Sequence, residues 1–275
     1  MDLRGIVAPV LTPFDARLEV DLPRFVALCK RLLDEGCAAL APFGTTSEAN
    51  SLSVEERERM LEALLESGVP PGRLIPGTGC CALPDTVRLT RKALPCAGVL
   101  VLPPFYYKGV SEEGLYRGYA ELIERTSARV VLYHIPQISQ VAIPLTLIRR
   151  LAAAYPDNIL GLKDSAGDFA YTQSVIEALP QLLTWSGTEK MLSRNLAAGG
   201  AGCITATANV NAAALSRVAR DPTPEGQERI DEVRSKYESL PMIAALKETL
   251  ARKDPEWRRL RPPLVELTEA QARTL

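Results

Sequence analysis

Eight short apolar segments recur along this chain at intervals of roughly twenty to thirty-five residues, a spacing that suits strand-helix-strand crossovers. They occupy residues 5–11, 38–43, 73–77, 98–102, 129–134, 158–163, 183–186 and 202–205. Their near-continuous apolar character predicts parallel strands covered on both faces, not half-exposed strands with alternating polarity. Segments with helical periodicity fill most of the gaps: 22–35, 53–68, 84–94, 112–126, 144–155, 171–179 and 189–198. Eight β then α units predict an α/β fold, specifically a (β/α)8 TIM barrel. A doubly wound open sheet competes, but the first run leads into Thr12-Pro13-Phe14 where a Gly-rich dinucleotide fingerprint would stand.

The tail from about residue 222 reads as extra helices over 225–239 and 242–252 with a Pro-rich stop at Arg261-Pro262-Pro263. The expected organisation is a barrel over 1–221 with a C-terminal helical extension over 222–275 packed on it. The 275 residues are 47% hydrophobic and 24% charged, a balance that excludes a mainly disordered chain. Thirty-two Lys and Arg offset thirty-three Asp and Glu, so no global field favours nucleic acid. The uncharged stretch 195–216 holds three Gly, three Asn and two Thr and reads as buried strand, loop and helix start, not as a membrane span. Six Cys without C-x-x-C spacing and a single His make a zinc centre improbable, so no metal is expected. With no signal-peptide pattern at the start, a reduced cytoplasmic protein is expected.

Barrel active sites lie at the carboxyl ends of the strands. The polar residues there are few: Thr45, Thr46 and Glu48; Tyr106 and Tyr107; Tyr133 and His134; Lys163 and Asp164; and 187–190. Lys163 ends an otherwise apolar strand, where a barrel interior would strip water from its amine. Desolvation favours the neutral, nucleophilic form, which can condense with a ketone to an imine; the plainer alternative is a rim lysine paired with Asp164. Gly44-Thr45-Thr46 could cradle a carboxylate or be an ordinary capped turn. Tyr133 could relay a proton or simply pack. His134 alternates with Tyr133 and should face the helices as a structural residue. The Gly-rich run 198–202 reads as tight helix-to-strand packing, and Glu55-Glu56 and Glu112-Glu113 as solvated first-turn acids.

Together these residues resemble the dihydrodipicolinate synthase and N-acetylneuraminate lyase superfamily of pyruvate-dependent class I aldolases. The likeness spans the chain: G-I-V-A-P-V-L-T-P-F, F-G-T-T-S-E-A-N-S-L-S, P-G-T-G at 76–79, P-P-F-Y-Y, L-Y-H-I-P, G-L-K-D-S, S-G-T-E and R-R-L-R-P-P-L, in that order. The resemblance implies a tetramer built as a dimer of dimers, with Lys163 as the Schiff-base lysine and no cofactor beyond that covalent imine. It implies Tyr133 as proton relay, Thr45 and Thr46 as the holders of the pyruvate carboxylate, and Tyr106, or Tyr107 one residue on, as a tyrosine entering the neighbouring subunit's site. Gly187, Glu189, Ile204 and Ala206 are expected to look toward the distal part of the substrate, together with Ser165, Ser139, Gln140 and Ile138.

Two departures bear on specificity. Dihydrodipicolinate synthases carry an arginine two residues after the Pro of Tyr-x-x-Pro, and here that place is Ile138, which offers no charged fork to a carboxylate. Ser47 stands where the motif usually has Gly, which adds a hydroxyl and restricts the backbone beside the carboxylate pocket. The expected reaction is cleavage or synthesis of a 2-keto acid, a 2-keto-3-deoxy sugar acid in the first instance, from pyruvate and an aldehyde. Dihydrodipicolinate synthase, a 2-keto-3-deoxy acid dehydratase and a non-catalytic keto-acid-binding barrel are the alternatives. No nucleic-acid or membrane partner is expected.

Overall fold

The computed structural model describes residues 2–275. Its elements run β1 (Gly5–Ala8), α1 (Leu22–Asp34), β2 (Ala39–Leu40), α2 (Val54–Glu66), α3 (Leu83–Lys92), β3 (Val99–Val101) and α4 (Glu112–Thr126). There follow β4 (Val130–His134), α5 (Pro136–Ser139), α6 (Leu145–Ala154), β5 (Ile159–Asp164), α7 (Phe169–Ala178), β6 (Leu183–Ser186), α8 (Leu192–Ala197), β7 (Gly202–Ile204) and α9 (Ala208–Arg220). The chain ends with α10 (Pro224–Glu238), α11 (Met242–Ala251) and α12 (Glu269–Ala272).

All strand pairs are parallel, in the order β2-β1-β7-β6-β5-β4-β3. The gap between β2 and β3 is bridged by residues 74–77. The Ile75 N–H donates to the Leu40 carbonyl at 2.8 Å, and the Leu100 N–H donates to the Pro76 carbonyl at 2.9 Å. The sheet therefore closes into a barrel, not a doubly wound sheet. The strand expected over 73–77 survives only as isolated bridges. Pro76 has no N–H to donate, and at Gly77 a Cβ would lie 2.2 Å from the Phe43 carbonyl oxygen.

Alternation along the strands divides the core into two layers. Val7, Ala39, Ile75, Leu100, Val131, Trp185 and Ile204 fill the barrel interior. Ile6, Leu40, Val130, Leu132, Leu162 and Cys203 meet the surrounding helices. Side-chain caps fix several helix starts: Asp21 accepts the Arg24 N–H, and Ser53 and Glu56 form a reciprocal box at α2. Buried Asn209 on α9 accepts the Leu11 N–H and donates to the Pro9 carbonyl, locking the end of the first strand segment to that helix.

β5 departs from strict alternation. Leu160 belongs to the interior layer and Leu162 to the outer one, so a regular pleat from Leu160 would turn residue 163 outward. The pairing with β4 slips between Val130–Ile159 and Val131–Gly161, which resets the faces. Gly161 makes this possible, because a Cβ there would lie 2.0 Å from the Leu183 carbonyl oxygen. Gly161→Ala is expected to cost about 1–3 kcal/mol, the usual scale of enforced backbone strain, as a lowered midpoint in urea unfolding. An unchanged midpoint would mean that β5 and β6 separate freely at this point.

Candidate active site

The interior layer ends at the carboxyl side of the barrel in a cavity of about 640 Å³, within the range of small-molecule sites. Lys163 and Tyr133 stand at its floor as register partners on β5 and β4. The Lys163 Nζ lies 4.0 Å from the centroid of the Tyr133 ring, and Lys163 is only 5% exposed. Burial alone pushes the Tyr133 phenol up. The charge of Lys163, with hydrogen bonding to Thr45, Lys163 and Ser165, outweighs it and holds the phenol below the ordinary tyrosine value. A phenol so placed gives up its proton more readily than a free one, which brings it closer to the range in which a group can both lose and regain a proton.

Thr45 and Thr46 line the same cavity from the loop after β2. A tight turn presents them: the Ser47 N–H donates to the Gly44 carbonyl at 3.1 Å, and the Glu48 N–H donates to the Thr45 carbonyl at 3.1 Å. Ser47 does not face the cavity. It is buried, its Oγ accepts the Gly44 N–H, and its carbonyl accepts the Thr12 hydroxyl. The hydroxyl that distinguishes this loop thus tightens the turn from within.

Ser165, Gly187, Ile204, Ala206 and Ile138 also reach the cavity. Gly187 must lack a side chain, because a Cβ would lie 2.0 Å from the Ser165 Oγ. Ile138, on the short helix α5, is 59% exposed at the mouth. Other expected residues are not brought there. The fully buried Glu189 carboxylate accepts from the hydroxyls of Thr205 and Thr207 and from Arg234. Ser139 spends its hydroxyl on the Ile135 and Val141 carbonyls. Tyr106, 75% exposed, and Tyr107 form an edge-to-face pair on the surface.

His134 faces the helices, where its Nδ1 accepts the Ile143 N–H at 3.0 Å and its ring lies 4.6 Å from that of Tyr171. Asp164 does not pair with Lys163: its Oδ2 accepts from Thr172 and its Oδ1 from the Ala166 N–H. Glu56 is not a solvated acid, since both its oxygens receive the Arg261 guanidinium. Among the described residues no group of three or more His, Cys, Asp or Glu is arranged to hold a metal, and no helix is long and apolar enough to cross a membrane.

The C-terminal extension supplies the outer wall, which strand-end reasoning does not reach. Arg234, Met242, Ile243, Leu264, Val265 and Gln271 all line the cavity. The available sequence signal is the apolar cluster around the R-R-L-R-P-P-L stretch.

A closed parallel barrel with a buried lysine, a low-titrating tyrosine and paired hydroxyls at one end has the equipment of an imine-forming lyase. The chain matches the model of the Dihydrodipicolinate synthetase family over residues 2–275 and belongs to that family, whose members are class I pyruvate-dependent lyases. It is 36% identical to an uncharacterized DapA-like lyase of Chloroflexus aurantiacus, over 99% of this chain and 94% of that protein. Its fold superposes on dihydrodipicolinate synthase from Agrobacterium tumefaciens with a TM-score of 0.90 at 29% identity, covering 98% of this chain and 96% of the other. The TM-score is also 0.90, at 26% identity, for YagE, an E. coli K12 prophage protein of the same family solved with pyruvate, with 98% and 95% covered.

Replacing Lys163 with Met is expected to raise the pH at which Tyr133 titrates. Carbon-13 spectra of Cζ-labelled tyrosine, with Tyr133→Phe for assignment, check this. An unmoved resonance would mean that the amine's charge does not reach the phenol.

Proposed function

We propose that this enzyme cleaves, and in reverse makes, a 2-keto-3-deoxy sugar acid or related 4-hydroxy-2-oxo acid, with pyruvate and an aldehyde as the other partners. The observation that carries this is the buried Lys163 amine beside the Tyr133 ring, in one cavity with Thr45 and Thr46. Thr45 and Thr46 hold the substrate carboxylate, which sets the C2 ketone over the amine and makes the encounter near-intramolecular. Lys163 adds to C2, and the Tyr133 phenol protonates the departing hydroxyl as water, leaving the protonated imine and a phenolate. Tyr133 takes the C4 hydroxyl proton as the C3–C4 electron pair moves into the imine, releasing the aldehyde and leaving an enamine. The phenol returns a proton to C3, and water hydrolyses the imine to free pyruvate and the lysine amine.

The cavity is large for a three-carbon acid, so its outer part is available to the aldehyde half. Ile138 offers that half an alkyl group. Arg234, the guanidinium of the lining, is already ion-paired with Glu189 at 3.3 Å and Glu238 at 3.6 Å. Neither supports recognition of a second carboxylate, which favours a hydroxylated aldehyde over aspartate semialdehyde. The exposed Tyr106 is assigned to the site of a neighbouring copy in a tetramer.

Pyruvate with borohydride is expected to add a reduced adduct at Lys163, and Lys163→Ala to abolish it. Tyr133→Phe should keep the adduct and slow turnover by a factor on the order of 10² or more. A wild-type chain that acquires no adduct would refute imine chemistry. Separately, Ile138→Arg is expected to raise turnover of aspartate semialdehyde over wild type in a coupled assay; no gain would place the barrier to that substrate elsewhere in the pocket.

A further inference from the structure

Glu48 stands two residues beyond Thr46, in the left-handed region at φ 58°, ψ 37°. Its carboxylate is ion-paired with Lys247 of α11, the side chains of both being fully buried. Its other oxygen accepts the Arg261 N–H at 3.4 Å. Lys247 also donates to the Arg259 carbonyl at 2.8 Å and lies 4.6 Å from the centre of the Phe14 ring. Arg261 completes the grip, donating to the Leu18 carbonyl at 2.8 Å, to the Ser51 carbonyl at 2.7 Å and to both Glu56 oxygens. The loop that carries Thr45 and Thr46 is thus held by charged groups of the C-terminal extension at Glu48, Ser51 and Glu56.

Burial pushes the Glu48 carboxyl up and the Lys247 amine down, against the pull of each on the other. A buried ion pair seldom gives more stability than apolar side chains of the same volume, whereas it does fix a single geometry when fully engaged. Here that geometry joins the backbone beside the hydroxyl pair to the helix whose first residues, Met242 and Ile243, wall the cavity.

We propose that Glu48 and Lys247 are positioning residues, whose ion pair holds Thr45 and Thr46 where they bind the keto-acid carboxylate. The proposal rests on the imine-forming reading given above. It separates from a purely structural role because it acts on the carboxylate alone. Methyl pyruvate presents the same ketone without that charge, so its binding should be indifferent to the pair.

The test is borohydride trapping at Lys163, quantified by intact-protein mass spectrometry across a titration of pyruvate or of methyl pyruvate. The double variant Glu48→Gln/Lys247→Met leaves no unmatched buried charge, and Glu48→Asp keeps both charges but withdraws the carboxylate by one methylene. In the double variant, half-maximal labelling should need on the order of tenfold more pyruvate, with labelling at saturation retained and the methyl pyruvate midpoint within about twofold of wild type. Glu48→Asp should give the same split at smaller size. Equal shifts for the two ketones, or none for pyruvate, would overturn the positioning role while leaving the imine intact. Absence of labelling in wild type would instead remove the underlying chemistry, and the positioning role with it.

Discussion

The parallel pairing of β4 with β5 puts Tyr133 directly opposite Lys163, and the remainder of the site is arranged around that adjacency. Neither group has its properties alone. Phenol and amine are both buried, and each would be penalised for charge in isolation. The charge of Lys163 and the hydrogen bonds around the phenol favour its ionised form, which is why the phenol ends below its ordinary range despite being shut away from water. The closed ring of strands makes the adjacency durable, because a strand within a barrel has a neighbour on both sides and cannot slide without breaking two ladders.

Around this pair the molecule divides its work between barrel and tail. The strand ends and the loop after β2 supply the amine, phenol and hydroxyls at the inner end of the cavity, and the extension supplies its outer wall. The two are not independent, since Arg261 binds Glu56 and Lys247 binds Glu48 across the seam. Apolar contact alone would let the extension settle in several registers. Charged groups with few alternative partners select one.

Much of this architecture was legible in the sequence because it rests on local pattern. Apolar runs separated by amphipathic segments give the barrel, and polar residues that end such runs give Lys163, Tyr133 and the Thr45–Thr46 loop. What was not legible depends on groups distant in the chain. The 73–77 segment looked like its neighbours, yet Pro76 and the crowding at Gly77 leave only bridges. Glu189 occupied a strand-end position of the expected kind, but Thr205, Thr207 and Arg234, the last on α10, draw its carboxylate out of the lining. Glu56 read as a surface acid until a guanidinium about two hundred residues onward met it. The role of Ser47 turned on which side of a turn its hydroxyl occupies, which composition does not encode.

The slip at Gly161 carries a last consequence. A pleated strand has two sides and nothing between, so the two residues separating Leu160 from Lys163 would turn the amine outward in a regular pleat, and the extra position taken up at the slip is what points it at the axis. Were the slip lost with the residues unchanged, every apolar side chain, the composition of the motif and the hydropathy profile would stay the same, and the lysine would be aimed into the helical jacket. For this strand the tally of positions is as much a part of the active site as their chemical identity.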